Sequence, residues 1–206
     1  MNKKILSLTT TLLLVLLFAS CGMRRCATTF DEGVVINGVR WATRNVDAPG
    51  TFAATPESFG MFFQWNRKKA WNATDERVED WDNAISAGTK WYAENDPSPI
   101  GWRIPTRAEI RSLLDSEKVS SEWTTQNNIN GRLFTCLDTG NNLFLPAVGH
   151  RCGNDGARLS VNVWGLYWNS TLSSRGMAWS LYIGSDNVRE NMNFCRVGLS
   201  IRAVAK

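Results

Sequence analysis

One histidine, five cysteines and an acidic run between positions 75 and 82 are the residues of this chain most able to do chemistry. The single histidine, His150, excludes two-histidine metal sites and leaves little for acid–base work near neutral pH. Nucleophilic catalysis by His150 would need a nucleophile and an orienting carboxylate. Ser160, Asp155 and Asp138 are near it in sequence, but nothing around them reads as a nucleophile elbow. His150 is therefore read as a surface-loop residue, and no catalytic residue is assigned. Asp75, Glu76, Glu79, Asp80 and Asp82 lack the alternating spacing and central glycine of a calcium loop. They read as a solvated loop or helix face. No two cysteines show Cys-x-x-Cys spacing, which argues against zinc and redox motifs. No metal, no cofactor and no enzymatic activity are expected.

Cys21 points to a different chemistry. Met1 to Lys4 is a positive n-region, Ile5 to Phe18 is mostly apolar, and Ala19-Ser20 supply the small residues that precede signal-peptidase cleavage. The apolar run from Leu12 to Phe18 is too short to span a bilayer. Phe18-Ala19-Ser20-Cys21 resembles the lipobox of bacterial lipoproteins, with Phe at the position usually held by Leu. The resemblance implies that Cys21 is lipidated and becomes the N-terminus, anchored stably by several acyl chains where one would be marginal. The plainer alternative is an ordinary secretory signal peptide. The expected organisation is a signal peptide over 1–20, a tether over 21–32 and one domain over 33–206. The expected location is the cell envelope, as an outer-membrane lipoprotein. No acidic run follows Cys21 of the sort that resembles surface-export tags in some Bacteroidetes lipoproteins, so either leaflet face stays open. Export places Cys26, Cys136, Cys152 and Cys195 in an oxidising compartment, where four cysteines allow three pairings.

Of 206 residues, roughly 186 remain after the export segment, room for one domain with its own core. Hydrophobic residues make up 43% and charged residues 20%, which excludes a disordered tail. Loss of Lys3 and Lys4 takes the formal charge from +4 to +2, no electrostatic footprint for nucleic acid.

The elements that must position any site are mostly β. Val34-Val35-Ile36 and Val39-Arg40-Trp41 flank an Asn37-Gly38 turn and predict a short hairpin. Phe59 to Trp65 is a strongly apolar patch. Thr106 followed by Glu109 forms a capping-box signal, so a helix is expected to start there, bury Ile110, Leu113 and Leu114, and fade near Glu117. Leu133 to Leu137 and Leu143 to Leu145, around Thr139 to Asn142, predict a second hairpin. Strands are expected near Leu166 to Ser170, Met177 to Ile183 and Val197 to Val204. In the last, Val197, Leu199, Ile201 and Ala203 alternate with Ser200 and Arg202, which predicts one buried face and one available face. No internal repeat interrupts the chain.

Several segments together resemble the Fibrobacter succinogenes major paralogous domain, a family of exported bacterial domains. They are Ile36 to Ala42 with Asn45, Phe59-Gly60 with Trp65, Gly101-Trp102-Arg103-Ile104-Pro105-Thr106 with Glu109, Leu145-Pro146-Ala147 with Gly149, Tyr167-Trp168-Asn169-Ser170, and Ser200-Ile201-Arg202-Ala203-Val204. The resemblance covers about residues 33 to 205, and Gly101 to Thr106 is its most specific piece. It implies an α+β, C-type-lectin-like fold of mixed small antiparallel sheets, one or two helices and long loops, with N- and C-terminal strands paired. Ser98 and Ala203 stand where family members commonly carry cysteines. Their joint loss is expected if those two cysteines form one disulfide in relatives, leaving packing to hold the junction here. Cys152 and Cys195 are the expected compensating pair. Similarity to formylglycine-generating enzymes, which share the motif in outline, would imply a thiol-based oxidase, but their paired C-terminal cysteines have no match.

Function is thus expected to be noncovalent binding of a glycan or a surface protein. Trp102, Trp164 and Trp168 could stack on sugars, but their motif positions read as core. The stretch from Arg175 to Asn193 reads as loop-rich and paratope-like, with Arg175, Tyr182, Asn187, Arg189, Asn191 and Asn193 as the candidate ligand-binding residues. Asp186 and Glu190 accompany them. A solvated hairpin tip is the plainer reading of that stretch. Its asparagines also resemble the target of a diversity-generating retroelement, which would make this a variable protein. The alternatives are an envelope or appendage assembly component and, last, a degenerate oxidase.

Overall fold

The computed structural model describes residues 29–84 and 88–206. Residues 1–20, expected to be a signal peptide, and Cys21 and Cys26 lie outside the described residues. Asn37 and Gly38 both take left-handed backbone angles, φ 45° and 77°, as a two-residue turn between twisted strands requires. They join β1 (Val34–Ile36) to β2 (Val39–Trp41). A long irregular segment leads to β3 (Phe62–Phe63), which pairs with β4 (Ala70–Trp71). The acidic residues from Asp75 to Asp82 follow in an exposed loop.

The Gly101 to Thr106 motif acts as a structural staple. Trp102 of β5 (Trp102–Arg103) is buried edge-on against Phe52, ring centroids 5.5 Å apart. Arg103 makes a two-pronged contact with Glu109, at 2.8 and 2.6 Å. Both halves of the capping box form, with the Thr106 side chain accepting from the Glu109 N–H and the Glu109 carboxylate accepting from the Thr106 N–H. The helix that starts there, α1 (Arg107–Leu113), ends earlier than the periodicity predicts. The Leu114 N–H closes a tighter turn onto Arg111, and the Asp115 carboxylate takes the Glu117 N–H, so the chain turns away.

It turns into β6 (Val119–Gln126), which the sequence reading left out, then β7 (Ile129–Cys136) and β8 (Asn142–Pro146), an antiparallel three-stranded sheet. The β6–β7 turn is Asn127-Asn128, both at positive φ. Next come a small pair, β9 (His150–Arg151) with β10 (Arg158–Leu159), and a second three-stranded sheet of β11 (Gly165–Ser174), β12 (Met177–Ile183) and β13 (Val188–Phe194). Finally β14 (Val204–Ala205) sits between β2 and β5, so the chain's two ends share one four-stranded sheet. Among the described residues, the architecture is a set of small antiparallel sheets with one α-helix.

Two apolar clusters hold it together. One packs α1, through Ile110 and Leu113, against Phe134, Leu181 and Ile183; the other gathers Trp65, Trp102, Leu166, Trp168, Leu199 and Ile201. Residues 198–204 correct the expected one-sided strand. Gly198, Leu199 and Ser200 each make a single bridge, to Arg151, Phe63 and Tyr167 respectively, and both faces are buried. Of the two polar side chains buried there, Arg202 is bonded through two of its three nitrogens, while Ser200 Oγ and Arg202 Nη2 are buried with no hydrogen-bond partner among the described residues. Arg202 donates to Asn45 Oδ1 at 2.9 Å and to the Ala42 carbonyl at 3.2 Å. Burial lowers its pKa to about 10. The Tyr167 hydroxyl donates to the Pro146 carbonyl at 2.6 Å.

The expected Cys152–Cys195 bond is absent: Cys136, Cys152 and Cys195 are free thiols. Cys195 is buried in the second cluster, which pushes its thiol up to about 11. Cys152 instead hydrogen-bonds Asp155 at a surface turn.

Candidate functional site

Within the stretch from Arg175 to Asn193, β12 is the strand that the alternation over Met177 to Ile183 predicts, whereas the part read as loop-rich beyond it is largely a further strand, β13. Polar residues dominate β13 because it is an edge strand with half-exposed side chains, while its partner β12 is largely buried, with Met177, Trp179 and Tyr182 half-buried. Register then sorts the six candidates. Tyr182 pairs with Arg189, Ser180 with Asn191 and Ala178 with Asn193, so four candidates share one face. Glu190 points to the other, where Arg107 and Arg111 hold it at 2.5 and 2.9 Å. Arg175 and Asn187 lie in the turns at opposite ends of β12.

Tyr182 and Arg189 belong to a longer array. The Arg189 guanidinium lies 4.4 Å from the Tyr182 ring centroid. Tyr182 packs against Trp164 at 5.9 Å, and Trp164 stacks on His150 at 4.8 Å with 19° between planes. The backbone brings these distant residues together. Gly149 bridges Gly165, and the Gly149 N–H donates to the Trp164 carbonyl at 2.8 Å, setting His150 beside Trp164. His150 is therefore a half-buried strand residue and not a surface-loop residue, a second correction. Burial lowers its pKa from 6.5, and its Nδ1 is buried with no hydrogen-bond partner among the described residues. Leu159, opposite His150, and Val163 extend the surface with exposed apolar side chains.

The array is braced from behind and edged with amides. Buried Arg132 of β7 donates to the Gly184 carbonyl and to Ser121 Oγ, both at 3.0 Å. Burial lowers its pKa, against the attraction of Asp186 and Tyr182. Asn193 donates to Ser180 Oγ at 2.8 Å, whereas the Asn191 amide has no side-chain bond among the described residues. Trp102 and Trp168 are core. Only Trp164 of the three tryptophans weighed for stacking is half-exposed.

A second feature was invisible to the sequence reading. An open cleft of about 820 Å³ runs between residues 47–61, Asn72 to Thr74 and the β6–β7 turn. Phe59, Met61 and Ile129 give it apolar walls; Asp47 and Glu57 are its only ionisable lining residues. The pieces come from three separate stretches, so no local spacing announces them.

Among the described residues, no group of three or more His, Cys, Asp or Glu side chains could hold a metal ion. The Cys136 thiol is lowered to about 7, chiefly by its hydrogen bond with Thr139. None of Cys136, Cys152 and Cys195 lines the cleft of about 820 Å³. No protein-family model, no curated protein and no solved structure matches the chain.

Proposed function

We propose that this protein binds a glycan noncovalently on the face formed by His150, Trp164, Tyr182 and Arg189, as an exported, lipid-anchored envelope protein with a C-type-lectin-like fold. The observation that carries the reading is the stacked array itself. Half-exposed rings present flat apolar area that needs little ordering on contact, and a neighbouring guanidinium and amide supply directional bonds to hydroxyls. Arg189 and Asn191 sit on that same face, one as cation over Tyr182 and one with its amide unengaged. The lipobox-like Phe18 to Cys21 supports the anchor, and the pairing of β14 with β2 supports the resemblance.

A glycan-array and cell-surface binding assay, run beside a variant carrying Tyr182→Ala, Arg189→Ala and Asn191→Ala, tests this. Specific binding that the folded variant loses is the expected result. A second reading is assembly through β13. Its outer edge pairs with nothing among the described residues, and Met192 and Phe194 on it are exposed. Concentration-dependent oligomers without glycan binding would favour that reading.

A further inference from the structure

We propose that the cleft walled by Phe59, Met61 and Ile129 is a second binding site, one that takes an organic ammonium ion carried on an aliphatic stem. The size is right for a small ligand, since about 820 Å³ lies within the usual range for such sites. The lining specifies charge as well as shape. Asp47 and Glu57 are its ionisable groups and both are acidic; among the described residues, no lysine, arginine or histidine lines the cleft. Neither carboxylate forms a salt bridge among the described residues.

The two carboxylates are not equivalent. Burial raises the Asp47 pKa above its ordinary 3.8, against a backbone hydrogen bond from Ala48, so the fold holds a partly desolvated carboxylate without a cation. A bound ammonium would supply the missing counter-charge. The aromatic face of Phe59 and the thioether of Met61 suit the same ligand, since a π-face attracts a cation and polarizable sulfur packs on a flexible stem. The remaining polar groups are largely occupied within the protein. Thr55 and Ser58 hydroxyls bond each other at 2.9 Å, and Asn72 Oδ1 accepts from Thr74, Asp75 and Arg151. Charge complementarity to Asp47 and Glu57, with apolar contact to the three walls, is what remains for a ligand.

The test uses n-hexylamine as probe, with n-hexanol and hexanoate as neutral and anionic isosteres, in calorimetric titrations of the full chain. The expected result is saturable hexylamine binding, at least tenfold weaker for hexanol and absent for hexanoate. Asp47→Asn and Glu57→Gln, each checked for an unchanged circular dichroism spectrum, are expected to weaken hexylamine at least tenfold, while Tyr182→Ala leaves it within twofold. Failure of hexylamine to bind, equal binding of hexanol, or unchanged binding by both charge-neutralised variants would overturn the proposal. Loss in Tyr182→Ala would overturn it too, by moving the cation to the stacked face. Because that face is tested with glycans, the two readings fail independently.

Discussion

Of the side chains in the stacked array, His150 is the one whose charge changes near neutral pH. Burial depresses its pKa below 6.5 in the folded chain, so it favours folding fully above the unfolded value and loses that contribution as pH falls through the folded one. Stability should therefore decline below about pH 6.5, before the carboxylates titrate. His150→Phe keeps the stacking on Trp164 and has no proton to gain. Denaturant melts at pH 7 and pH 5 should show this variant more stable by on the order of 1 kcal/mol at pH 5, with a smaller gap at pH 7. An equal gap at both would show that packing alone separates the two proteins. This residue also marks the limit of reading a site from sequence. Tyr182, Arg189, Asn191 and Asn193 were legible as candidates because they cluster along the chain. Their coupling to Trp164 and His150 was not, because it depends on the Gly149–Gly165 bridge, and nothing in local spacing records a bridge between distant glycines.

At the scale of elements, α1 docks onto the β12–β13 hairpin through one carboxylate. Glu190 accepts from Arg107 and Arg111, while the Arg107 guanidinium lies 3.4 Å from the Trp179 ring centroid. The hydrogen bond from Arg107 is the main reason that Glu190 titrates below its ordinary 4.5. Its contribution is therefore present above about pH 4.5 and lost as pH falls through the lower folded value. Glu190→Gln should cost about 1 kcal/mol at pH 7, a modest figure because Arg111 is largely exposed. Urea titrations at pH 7 and pH 3 should show that difference narrow in acid. Elements with local punctuation were legible: the Asn37-Gly38 hairpin and the Thr106–Glu109 helix start are set by contacts within a few residues. Strand β6 was missed because Ser120, Ser121, Thr124 and Thr125 dilute its apolar signal and its turn is Asn-Asn. The run 197–204 misled because Ser200 and Arg202 look solvent-facing in sequence, yet both are buried, and Asn45 and the Ala42 carbonyl take two of the Arg202 nitrogens inside the core.

Across the whole molecule, the first strands, β1 and β2, and the last, β14, share one sheet, as the resemblance implies. Ala203 is fully buried, the Ser98 hydroxyl is buried without a partner, and the Lys206 N–H bonds the Gly101 carbonyl at 2.9 Å. If family members bridge these positions, Ser98→Cys with Ala203→Cys should form a disulfide under oxidising conditions. It should stabilise the fold by about 2–4 kcal/mol, read as a rise in denaturation midpoint that reductant reverses. Two free thiols in the folded variant would count against the resemblance at that junction. The β-rich character was legible, and the pairing of the first and last strands was implied by the resemblance; the partition of the described residues into five small sheets was not legible, because two-residue strands leave no periodicity to read. The central claim is that the stacked face is where this molecule binds a glycan. Its most direct test is calorimetric titration of an array-identified glycan into the wild type, Tyr182→Ala, Arg189→Ala and Arg175→Ala. Arg175 serves as control because it lies at the far end of β12, roughly 17 Å along the strand from Tyr182. The account predicts a loss of tenfold or more, about 1.4 kcal/mol, for the Tyr182 and Arg189 variants and little change for Arg175→Ala. Equal affinity in all four proteins would contradict it.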